Sequence, residues 1–503
     1  MKLQKCLIAN RGEIAVRILR ACFELGMQAV AVYSDADRQA RHVQMADEAY
    51  LLGGAAPAES YLNIEKLIAV ARKAGCDCVH PGYGFLSEAE EFAQAVLDAG
   101  LVWVGPPPDA IRKMGVKTEA RALMQAAGVP LVPGFQADDA TEDDFLAAAD
   151  KIGYPLMVKA AGGGGGKGIR IVRRAQDLPD ALAGARREAL HAFGDARLFL
   201  ERYIEHGRHI EIQVLADAHG STVHLFEREC SAQRRHQKVI EESPSPLLTP
   251  EIRAQMGQAA VSAAQAVAYT NAGTVEFIAS AQGEFYFLEM NTRLQVEHPV
   301  TELVTGLDLV KLQFAVAAGE KLPFTQSDLS QRGHAIECRI YAEDPLNQFL
   351  PAIGPLLLFQ PPEGPGIRVD SGVQSGDSIG LHYDPMIAKI IVYERTRAAA
   401  IERMSKALRD TVILGTTTNT AFLRALLEHP AFTAGVVHTA FIEENLDDLL
   451  QGLREPLTNQ ADMALLAAAL HDSQAVGAAQ TGHTSEDAPE PWAHADSFRM
   501  GRL

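Results

Sequence analysis

This 503-residue sequence has no long apolar run, no excess of basic over acidic residues and only six cysteines. No apolar run approaches the roughly 20 residues that a membrane-spanning helix needs. The N-terminal segment lacks the apolar core of a signal peptide, because charge and an Asn-Arg-Gly sequence interrupt it. The formal net charge of -18 argues against a general binder of nucleic acid or anionic membranes. We therefore expect a cytoplasmic enzyme without nucleic-acid or membrane partners.

Cysteine is too sparse for a zinc site at recognisable spacing. Four of the six cysteines are isolated, and a pair separated by one residue opens a buried-looking strand without two further ligands nearby. We expect all six to be reduced and structural, namely Cys6, Cys22, Cys76, Cys78, Cys230 and Cys338.

Two common nucleotide-binding fingerprints are also absent. The first strand-to-helix turn, residues 9–14, has no Gly-x-Gly-x-x-Gly sequence. The five glycines ending at Gly166 do not form a Walker A loop, because Ala161 replaces its first glycine and Gly168 its hydroxyl residue. Strand-like sequence flanks them on both sides, so we predict a β-hairpin flap whose backbone amides close over phosphates. Lys159, on its first strand, would hold phosphate oxygens.

Chain length predicts two to four domains. Alternating strand and helix patterns in residues 1–130 predict an open, mostly parallel sheet with helices on its faces. Residues 131–203 form a small unit that contains the glycine-rich hairpin. Strands dominate the start of residues 204–446, and mixed elements follow. Residues 447–503 are expected to be a short helical segment and a flexible linker tail.

Two carboxylates are predicted to face each other across a second hairpin. If the turn at Gln282–Gly283 is a two-residue loop, Ile278 faces Phe287 and Glu276 faces Glu289. Side chains directly opposite lie on one face of the sheet, where two carboxylates repel each other unless a divalent cation lies between them. The hairpin therefore predicts a metal site, and oxygen ligands favour Mg²⁺ or Mn²⁺ over zinc.

The residues after this hairpin predict an anion site beside the metal. Asn291 adds a neutral oxygen, Arg293 can hold a small anion through two parallel hydrogen bonds, and Glu297 is placed to accept a proton. A local cationic run at residues 234–238 would suit phosphate in an otherwise acidic chain. Together these features indicate nucleotide-dependent phosphoryl chemistry.

Longer motifs connect these sites to a known family. The motifs are His80-Pro-Gly-Tyr-Gly-Phe-Leu-Ser-Glu88, Gln233-Arg-Arg-His-Gln-Lys238, Arg293-Leu-Gln-Val-Glu297-His-Pro-Val-Thr-Glu302, Glu343-Asp-Pro and Tyr383-Asp-Pro-Met386. With the glycine hairpin they resemble ATP-grasp enzymes and, within that superfamily, biotin carboxylases, over residues 1 to about 446. The resemblance implies an α/β and α+β multidomain chain with the ATP-grasp fold. Its parts would be an N-terminal Rossmann-like (preATP-grasp) domain, a small lid domain and a C-terminal biotin carboxylase domain.

The resemblance also implies a role for each matching residue. ATP would be contacted by Lys117, Lys159, Glu201, Ile204, His209, Gln233 and His236, and its phosphates covered by Gly163, Gly164, Gly165 and Gly166. Mg²⁺ or Mn²⁺ would be bound by Glu276, Glu289 and Asn291. Bicarbonate would lie against Lys238, Arg293, Gln295 and the Val296 amide, and Glu297 would deprotonate it to form carboxyphosphate. Arg339 would stabilise the enolate-like oxygen of biotin, and Tyr83 would lie near the biotin pocket.

The implied reaction is the ATP- and bicarbonate-dependent carboxylation of biotin, the first half-reaction of an acyl-CoA carboxylase. No Ala-Met-Lys-Met biotin-accepting sequence occurs, so biotin is expected on a separate carrier domain or chain. A carboxyltransferase subunit and a homodimer or larger complex are the other implied partners.

Two alternatives stay open. One is a carbamoyl-phosphate synthetase-like ligase, against which Tyr83, Arg339 and the run of residues 293–302 argue. The other is a catalytically silent nucleotide-binding subunit, which would have no need of Lys238 and Glu297 together with Arg293.

Overall fold

The structure is a computed structural model that describes residues 2–137, 140–160, 170–193, 196–235 and 237–454. The side chains of residues 117, 118, 136, 192 and 193 lie outside this description. Residues 1–450 form one compact unit and residues 451–503 a second, of which only residues 451–454 are described. Within the described ranges, no helix has both the length and the apolar character needed to cross a membrane.

The N-terminal sheet is parallel throughout, as predicted. Its strands are β1 (Lys5–Ile8), β2 (Gln28–Ser34), β3 (Glu48–Gly53), β4 (Cys78–His80) and β5 (Val102–Trp103), in the order β3-β2-β1-β4-β5. The helices of this region are α1 (Gly12–Glu24), α2 (Arg41–Met45), α3 (Ile64–Ala74), α4 (Glu90–Asp98), α5 (Pro108–Gly115) and α6 (Lys117–Ala126). The edge strand β3 was not predicted, because most of its residues are only half-buried and no clear apolar pattern marks it.

Both faces of this sheet carry a hydrophobic core. Cys6 and Ile8 of β1 pack on one side with Ile14 and Ile18 of α1, while Leu7 packs on the other. This alternation along β1 is the strand period of two, and the spacing in α1 follows the helix period. Parallel strands buried on both faces read as continuous apolar runs, which made this part of the chain the easiest to predict.

A second, antiparallel sheet contains the predicted hairpin. Its strands are β6 (Gly134–Gln136), β7 (Leu156–Ala160), β8 (Arg170–Val172) and β9 (Leu198–Arg202), in the order β6-β9-β7-β8, with helices α7 (Glu142–Ile152) and α8 (Leu178–Phe193). Leu156 lies opposite Val172, so the strands on either side of the glycine-rich segment pair as predicted. The glycines Gly163 to Gly166 themselves lie outside the described residues.

The remaining strands build the largest sheet and three small ones. Their bounds are β10 (Arg208–Ala216), β11 (Thr222–Arg234), β12 (Gln237–Ser243), β13 (Asn271–Ala279), β14 (Phe285–Asn291), β15 (His334–Tyr341), β16 (Glu343–Asp344), β17 (Leu350–Pro351), β18 (Gly354–Pro355), β19 (Leu358–Gln360), β20 (Ile367–Ser371), β21 (Ser378–Ile379), β22 (Met386–Glu394) and β23 (Val412–Leu414). The helices are α9 (Pro250–Ala266), α10 (His298–Thr305), α11 (Leu309–Ala317), α12 (Arg397–Asp410), α13 (Thr420–Glu428), α14 (Pro430–Thr433), α15 (Phe441–Glu444) and α16 (Leu446–Arg454).

The large sheet is antiparallel and has the order β14-β13-β10-β11-β12-β15-β22-β20. On the interior strand β10, Ile210 and Ile212 face α9, where they pack with Met256. His209 and Glu211 alternate with these residues and are therefore on the opposite face. The pairs β16-β17, β18-β21 and β19-β23 form the small sheets. The polar face of the large sheet positions the candidate site.

Candidate active site

Glu276 on β13 and Glu289 on β14 face each other, as predicted. The predicted pairing of Ile278 with Phe287 is wrong, because the hairpin loop holds three residues rather than two and Ile278 pairs with Tyr286. A register shift next to Glu276 then adds one residue on β14 and restores the carboxylate pair. A β-bulge at such a position re-aims the side chains beyond it. The two facing carboxylates are thus produced by a loop and a bulge together.

Glu276 is contacted by four side chains of the site. Its Oε1 accepts hydrogen bonds from Lys238 Nζ (2.9 Å), Asn291 Nδ2 (2.9 Å) and Gln295 Nε2 (2.7 Å). Its Oε2 lies 2.9 Å from Nε2 of His209. Burial would raise the pKa of Glu276, but Lys238 and His209 outweigh it and hold the pKa well below the ordinary value. In return Glu276 raises the pKa of His209, against the effect of burial.

Lys238 is bonded to three carboxylates of the site. Its ammonium group donates to Glu211 Oε2 (2.6 Å), Glu276 Oε1 (2.9 Å) and Glu297 Oε1 (2.7 Å). Burial opposes its charge, but these carboxylates more than compensate and raise the pKa of Lys238 well above its ordinary value. Gln233 pairs with Lys238 across β11 and β12, so it borders the same site. One buried cation therefore joins the metal-type carboxylates to the predicted base.

Glu297 lies in a loop after β14 and occupies the N-cap of α10. Besides Lys238, it accepts a hydrogen bond from Arg339 Nη2 on Oε2 (3.0 Å). Arg339 Nε in turn donates to Glu241 Oε1 (2.6 Å). Burial would raise the pKa of Glu297, but Lys238, Arg339 and Arg228 together lower it far below the ordinary range. Glu297 is therefore ionised, and in the protonation state of a base.

Arg293 and Gln295 lie in the same loop. Arg293 Nη2 donates to Asn291 Oδ1 (3.0 Å), and its Nε lies 3.2 Å from Glu88 Oε2. Gln295 accepts from Arg228 Nη2 on Oε1 (2.8 Å) while its amide nitrogen holds Glu276. The structure thus brings the predicted anion-binding residues against the predicted metal ligands.

Sequence reasoning missed several charged residues of this network. Arg228 on β11 is fully buried and ion-paired with Glu211, which sequence analysis also passed over. Glu241 holds Arg339, and Lys389 Nζ donates to the Val296 carbonyl at 2.6 Å. The available signal was a charged residue inside an apolar strand, such as Glu211 between Ile210 and Ile212, because charges are rarely buried unless paired. The residues of the network missed in this way are Arg228, Glu211, Glu241 and Lys389.

The predicted ATP-contacting residues fall partly elsewhere. Lys159 Nζ contacts Glu201 across β7 and β9, and Arg121 Nη1 donates to Glu201 Oε1 at 2.6 Å. Lys159 and Glu201 lie in the four-stranded sheet, Arg121 lies on α6, and Ile204 is the second residue after β9. Tyr83 has a buried hydroxyl without a hydrogen-bond partner among the described residues. Outside the described part lie His236, Gly163, Gly164, Gly165, Gly166 and the side chain of Lys117.

The arrangement has the groups that phosphoryl transfer to a small anion requires. Facing carboxylates suit a divalent cation, the cations Lys238, Arg293 and Arg339 can bind anions, and an ionised carboxylate can take up a proton. The two strands that flank the glycine-rich segment belong to a separate antiparallel sheet, and the site lies on the polar face of the large one. Fold and site together define an ATP-grasp ligase.

Comparison with known proteins narrows the class. Residues 2–111 match the family described as biotin carboxylase, N-terminal domain. Residues 116–325 match the carbamoyl-phosphate synthase L chain, ATP binding domain, and residues 337–444 match the biotin carboxylase C-terminal domain. Biotin carboxylase 1 of Bacillus subtilis (strain 168) is 53% identical over 442 residues, which cover 88% of this chain and 98% of that protein.

Two further comparisons agree. The mitochondrial methylcrotonoyl-CoA carboxylase subunit alpha of Rattus norvegicus is 51% identical over 447 residues, or 89% of this chain and 62% of that subunit. The biotin carboxylase domain of the Hydrogenobacter thermophilus 2-oxoglutarate carboxylase, solved as a dimer, is 46% identical. It aligns with a TM-score of 0.82 over 89% of this chain and 99% of that one. The chain therefore belongs to the biotin carboxylase family. The family, fold class and enzymatic class expected from the sequence are confirmed.

Proposed function

We propose that this chain uses ATP and bicarbonate to carboxylate biotin, with the residues of the described network in the roles that the resemblance implies. One observation carries the proposal: Glu297 is held between Lys238 and Arg339, beside the facing pair Glu276 and Glu289. A base for bicarbonate, a cation for the biotin oxygen and a metal-type carboxylate pair thereby lie in one connected site.

The donor set fits Mg²⁺ or Mn²⁺. Glu276 and Glu289 face each other on adjacent strands, and Asn291 supplies an amide oxygen two residues further on. Such hard oxygen donors are those that these ions prefer. In the structure Lys238 and His209 supply the positive charge around Glu276. A bound ion would neutralise charge on the ATP phosphates, as it does in phosphoryl transfer generally.

Bicarbonate binding would adjust the proposed base. Lys238, Arg293, Gln295 and the Val296 amide are proposed to hold the anion. An anion placed there competes with Glu297 for Lys238, so the pKa of Glu297 should rise from its depressed value toward one suited to proton transfer. Glu297 then takes the bicarbonate proton, and the carbonate oxygen attacks the γ-phosphorus of ATP to release ADP.

The second half of the reaction uses the product of the first. Carboxyphosphate breaks down to CO₂ and phosphate, and the phosphate accepts the proton of the biotin ureido nitrogen. That nitrogen attacks CO₂ and gives carboxybiotin, while Arg339 stabilises negative charge on the ureido oxygen. Tyr83 is proposed to line the biotin pocket. Its hydroxyl is buried and has no hydrogen-bond partner among the described residues.

ATP contact by Lys159, Glu201, Ile204, His209 and Gln233 is part of the same proposal. The roles of His236, Lys117 and the four glycines stay predictions, because their groups lie outside the described residues. We also propose the domain limits 1–130, 131–203, 204–446 and 447–503. The five-stranded and four-stranded sheets are consistent with separate N-terminal and lid units, and the large sheet supports a single unit after residue 203.

The partners and the cellular setting are proposals too. The chain spans 62% of the rat subunit's length, and that subunit's name supports an acyl-CoA carboxylase as the setting. Biotin on a separate carrier domain or chain, a carboxyltransferase subunit and a dimer or larger complex follow from this setting. The Hydrogenobacter domain's description as a dimer supports the last. A cytoplasmic location remains a prediction from the sequence.

A carbamoyl-phosphate synthetase-like activity is the second candidate. The match of residues 116–325 to the ATP-binding domain of that enzyme favours it. The deciding experiment measures ADP release with Mg²⁺-ATP and bicarbonate, alone, with free biotin and with ammonia. Stimulation by biotin supports the proposal, and stimulation by ammonia alone supports the second candidate. No ADP release under any condition would indicate a silent subunit.

A further inference from the structure

Arg339 is held by two carboxylates. Its Nη2 contacts both Glu297, at 3.0 Å, and Glu241, and its Nε donates to Glu241 Oε1 at 2.6 Å. Glu241 lies on β12 and Arg339 on the neighbouring strand β15, two positions beyond the residue that faces Glu241. Diagonal neighbours on paired strands are within reach of long side chains. The sheet itself therefore sets the geometry of this contact.

Within the described residues, Arg339 is the one hydrogen-bond partner of the Glu241 carboxylate. Glu241 is fully buried, and its Oε2 has no hydrogen-bond partner in the part of the chain that the structure describes. Burying a carboxylate is unfavourable unless a cation compensates it. Burial raises the pKa of Glu241 to about 7, with Arg339 opposing this rise, so the group is ionised at pH 8. The interaction of Glu241 with Arg339 offsets the free-energy cost of burying this carboxylate.

The two carboxylates differ in the proposed reaction, on which this inference rests. Glu297 takes up the bicarbonate proton and becomes neutral, so its hold on Arg339 weakens. Glu241 does not contact bicarbonate in the proposed arrangement and keeps its charge. Arg339 would then turn a freed Nη2 hydrogen toward the biotin oxygen while its Nε edge stays fixed.

We propose that Glu241 is a positioning residue that anchors Arg339 after Glu297 has been protonated, and so prepares Arg339 for the biotin half of the reaction. The anchor is hydrogen-bonded to Arg339, whereas it affects Lys238 and Glu297 only through the electrostatic field. Its loss should therefore impair carboxyl transfer to biotin more than the cleavage of ATP that precedes it.

The facing residue Glu337 offers a matched control. It lies directly opposite Glu241 on β15, is equally buried, and both of its oxygens are without a hydrogen-bond partner within the described ranges. Its charged neighbours are Lys389, Glu241, Arg339 and Glu297, and burial raises its pKa well above the ordinary value. Replacement of Glu337 by glutamine thus removes a buried carboxyl from the same layer without removing a bond to Arg339.

The test compares Glu241→Gln with Glu337→Gln in the full chain at pH 8. ADP release with Mg²⁺-ATP and bicarbonate is measured without and with free biotin, and thermal unfolding reports on folding. We expect the ratio of biotin-stimulated to biotin-free ADP release to fall at least about tenfold in Glu241→Gln, and to stay within about twofold of wild type in Glu337→Gln.

Equal losses of this ratio in both variants would overturn the proposal, because any buried carboxyl would then be required. An unchanged ratio in Glu241→Gln would overturn it as well. If the glutamine variant does not fold, Glu241→Asp keeps the charge but shortens the side chain. A several-fold lower ratio in that variant supports the anchor, and a wild-type ratio refutes it. A wild-type chain without any biotin stimulation would refute the proposed function together with this inference.

Discussion

Replacement of Lys238 by methionine should destabilise the chain measurably, because three buried carboxylates share this one ammonium group. Glu211, Glu276 and Glu297 all lie within 2.9 Å of its Nζ, and Lys238 is itself largely buried. Removing one partner of a buried ion pair costs about 3–5 kcal/mol, since the remaining charge is left uncompensated. Methionine keeps the length of the side chain, so the change isolates the charge.

The expected shift follows from the size of the folded unit. Unfolding entropy is about 2.1 cal/mol/K per residue, so a unit of 450 residues shifts its thermal midpoint by about 1 °C per kcal/mol. Lys238→Met should therefore unfold about 3–5 °C below wild type, as measured by calorimetry in EDTA at pH 8. Lys406→Met is the matched control, because Lys406 is 68% exposed and, in the described part of the chain, its one ion pair is with Asp410, one helical turn away. Such surface pairs contribute a few tenths of a kcal/mol.

A midpoint for Lys238→Met within about 1 °C of wild type would refute the reasoning. It would mean that the surrounding carboxylates are not ionised together, or that they rearrange to reach water when the ammonium group is lost. An equal shift in Lys406→Met would refute it too, since burial would then have no influence.

Three further predictions concern the base, the metal and the pH dependence. Glu297→Gln should lower the rate of biotin-stimulated ADP release by a factor of about 10²–10⁴, because a positioned base contributes that much to the rate. The KM for ATP should stay within about threefold of wild type. A rate loss below about threefold would contradict the role of Glu297 as the base. Glu276→Gln and Glu289→Gln should each raise the Mg²⁺ concentration for half-maximal activity at least about tenfold in a Mg²⁺ titration, and an unshifted titration would exclude them as ligands. Burial raises the pKa of Glu13 from 4.5 to about 7, so the folded chain binds this proton more tightly than the unfolded chain does. The free energy of unfolding should therefore fall as the pH rises from 4.5 to about 7, by about 3 kcal/mol at most. Glu13→Gln should flatten this decline in thermal midpoints between pH 5 and pH 8, and a slope equal to that of wild type would show that Glu13 does not cause it.

The pairing of Glu276 with Glu289 illustrates how far local sequence reasoning reaches. Strand alternation and a glycine turn predicted the facing carboxylates correctly, but the loop is one residue longer than assumed and a bulge compensates for it. Turn length is set by local residues, whereas a bulge depends on how both strands pack. The sequence pattern carries no separate signal for the second feature.

The contacts around Arg339 show where sequence reasoning ends. Glu241 precedes it by 98 residues, and only the pairing of β12 with β15 brings the two together. Arg228 and Glu211 are likewise joined by the pairing of β10 with β11. Glu211 reads as a lone charge between two isoleucines, whereas Arg228 and Glu241 each stand beside another charged residue. In every case the partner that makes burial tolerable cannot be identified before the order of strands is known. The motifs identified the proposed catalytic residues such as Arg339, whereas the structure identified the charged residues that bind and position them, such as Glu241.

The order of strands in the large sheet has a consequence for dissecting this enzyme. Lys238 lies on β12, within the segment that matches the ATP-binding domain, and Arg339 lies on β15, within the segment that matches the C-terminal domain. Backbone hydrogen bonds join these strands from residues 240 to 243. A cut between residues 325 and 337 would therefore leave a bare strand edge in each fragment, prone to pair with other chains. The two segments are separate as sequence families, but as a folding and engineering unit they are indivisible.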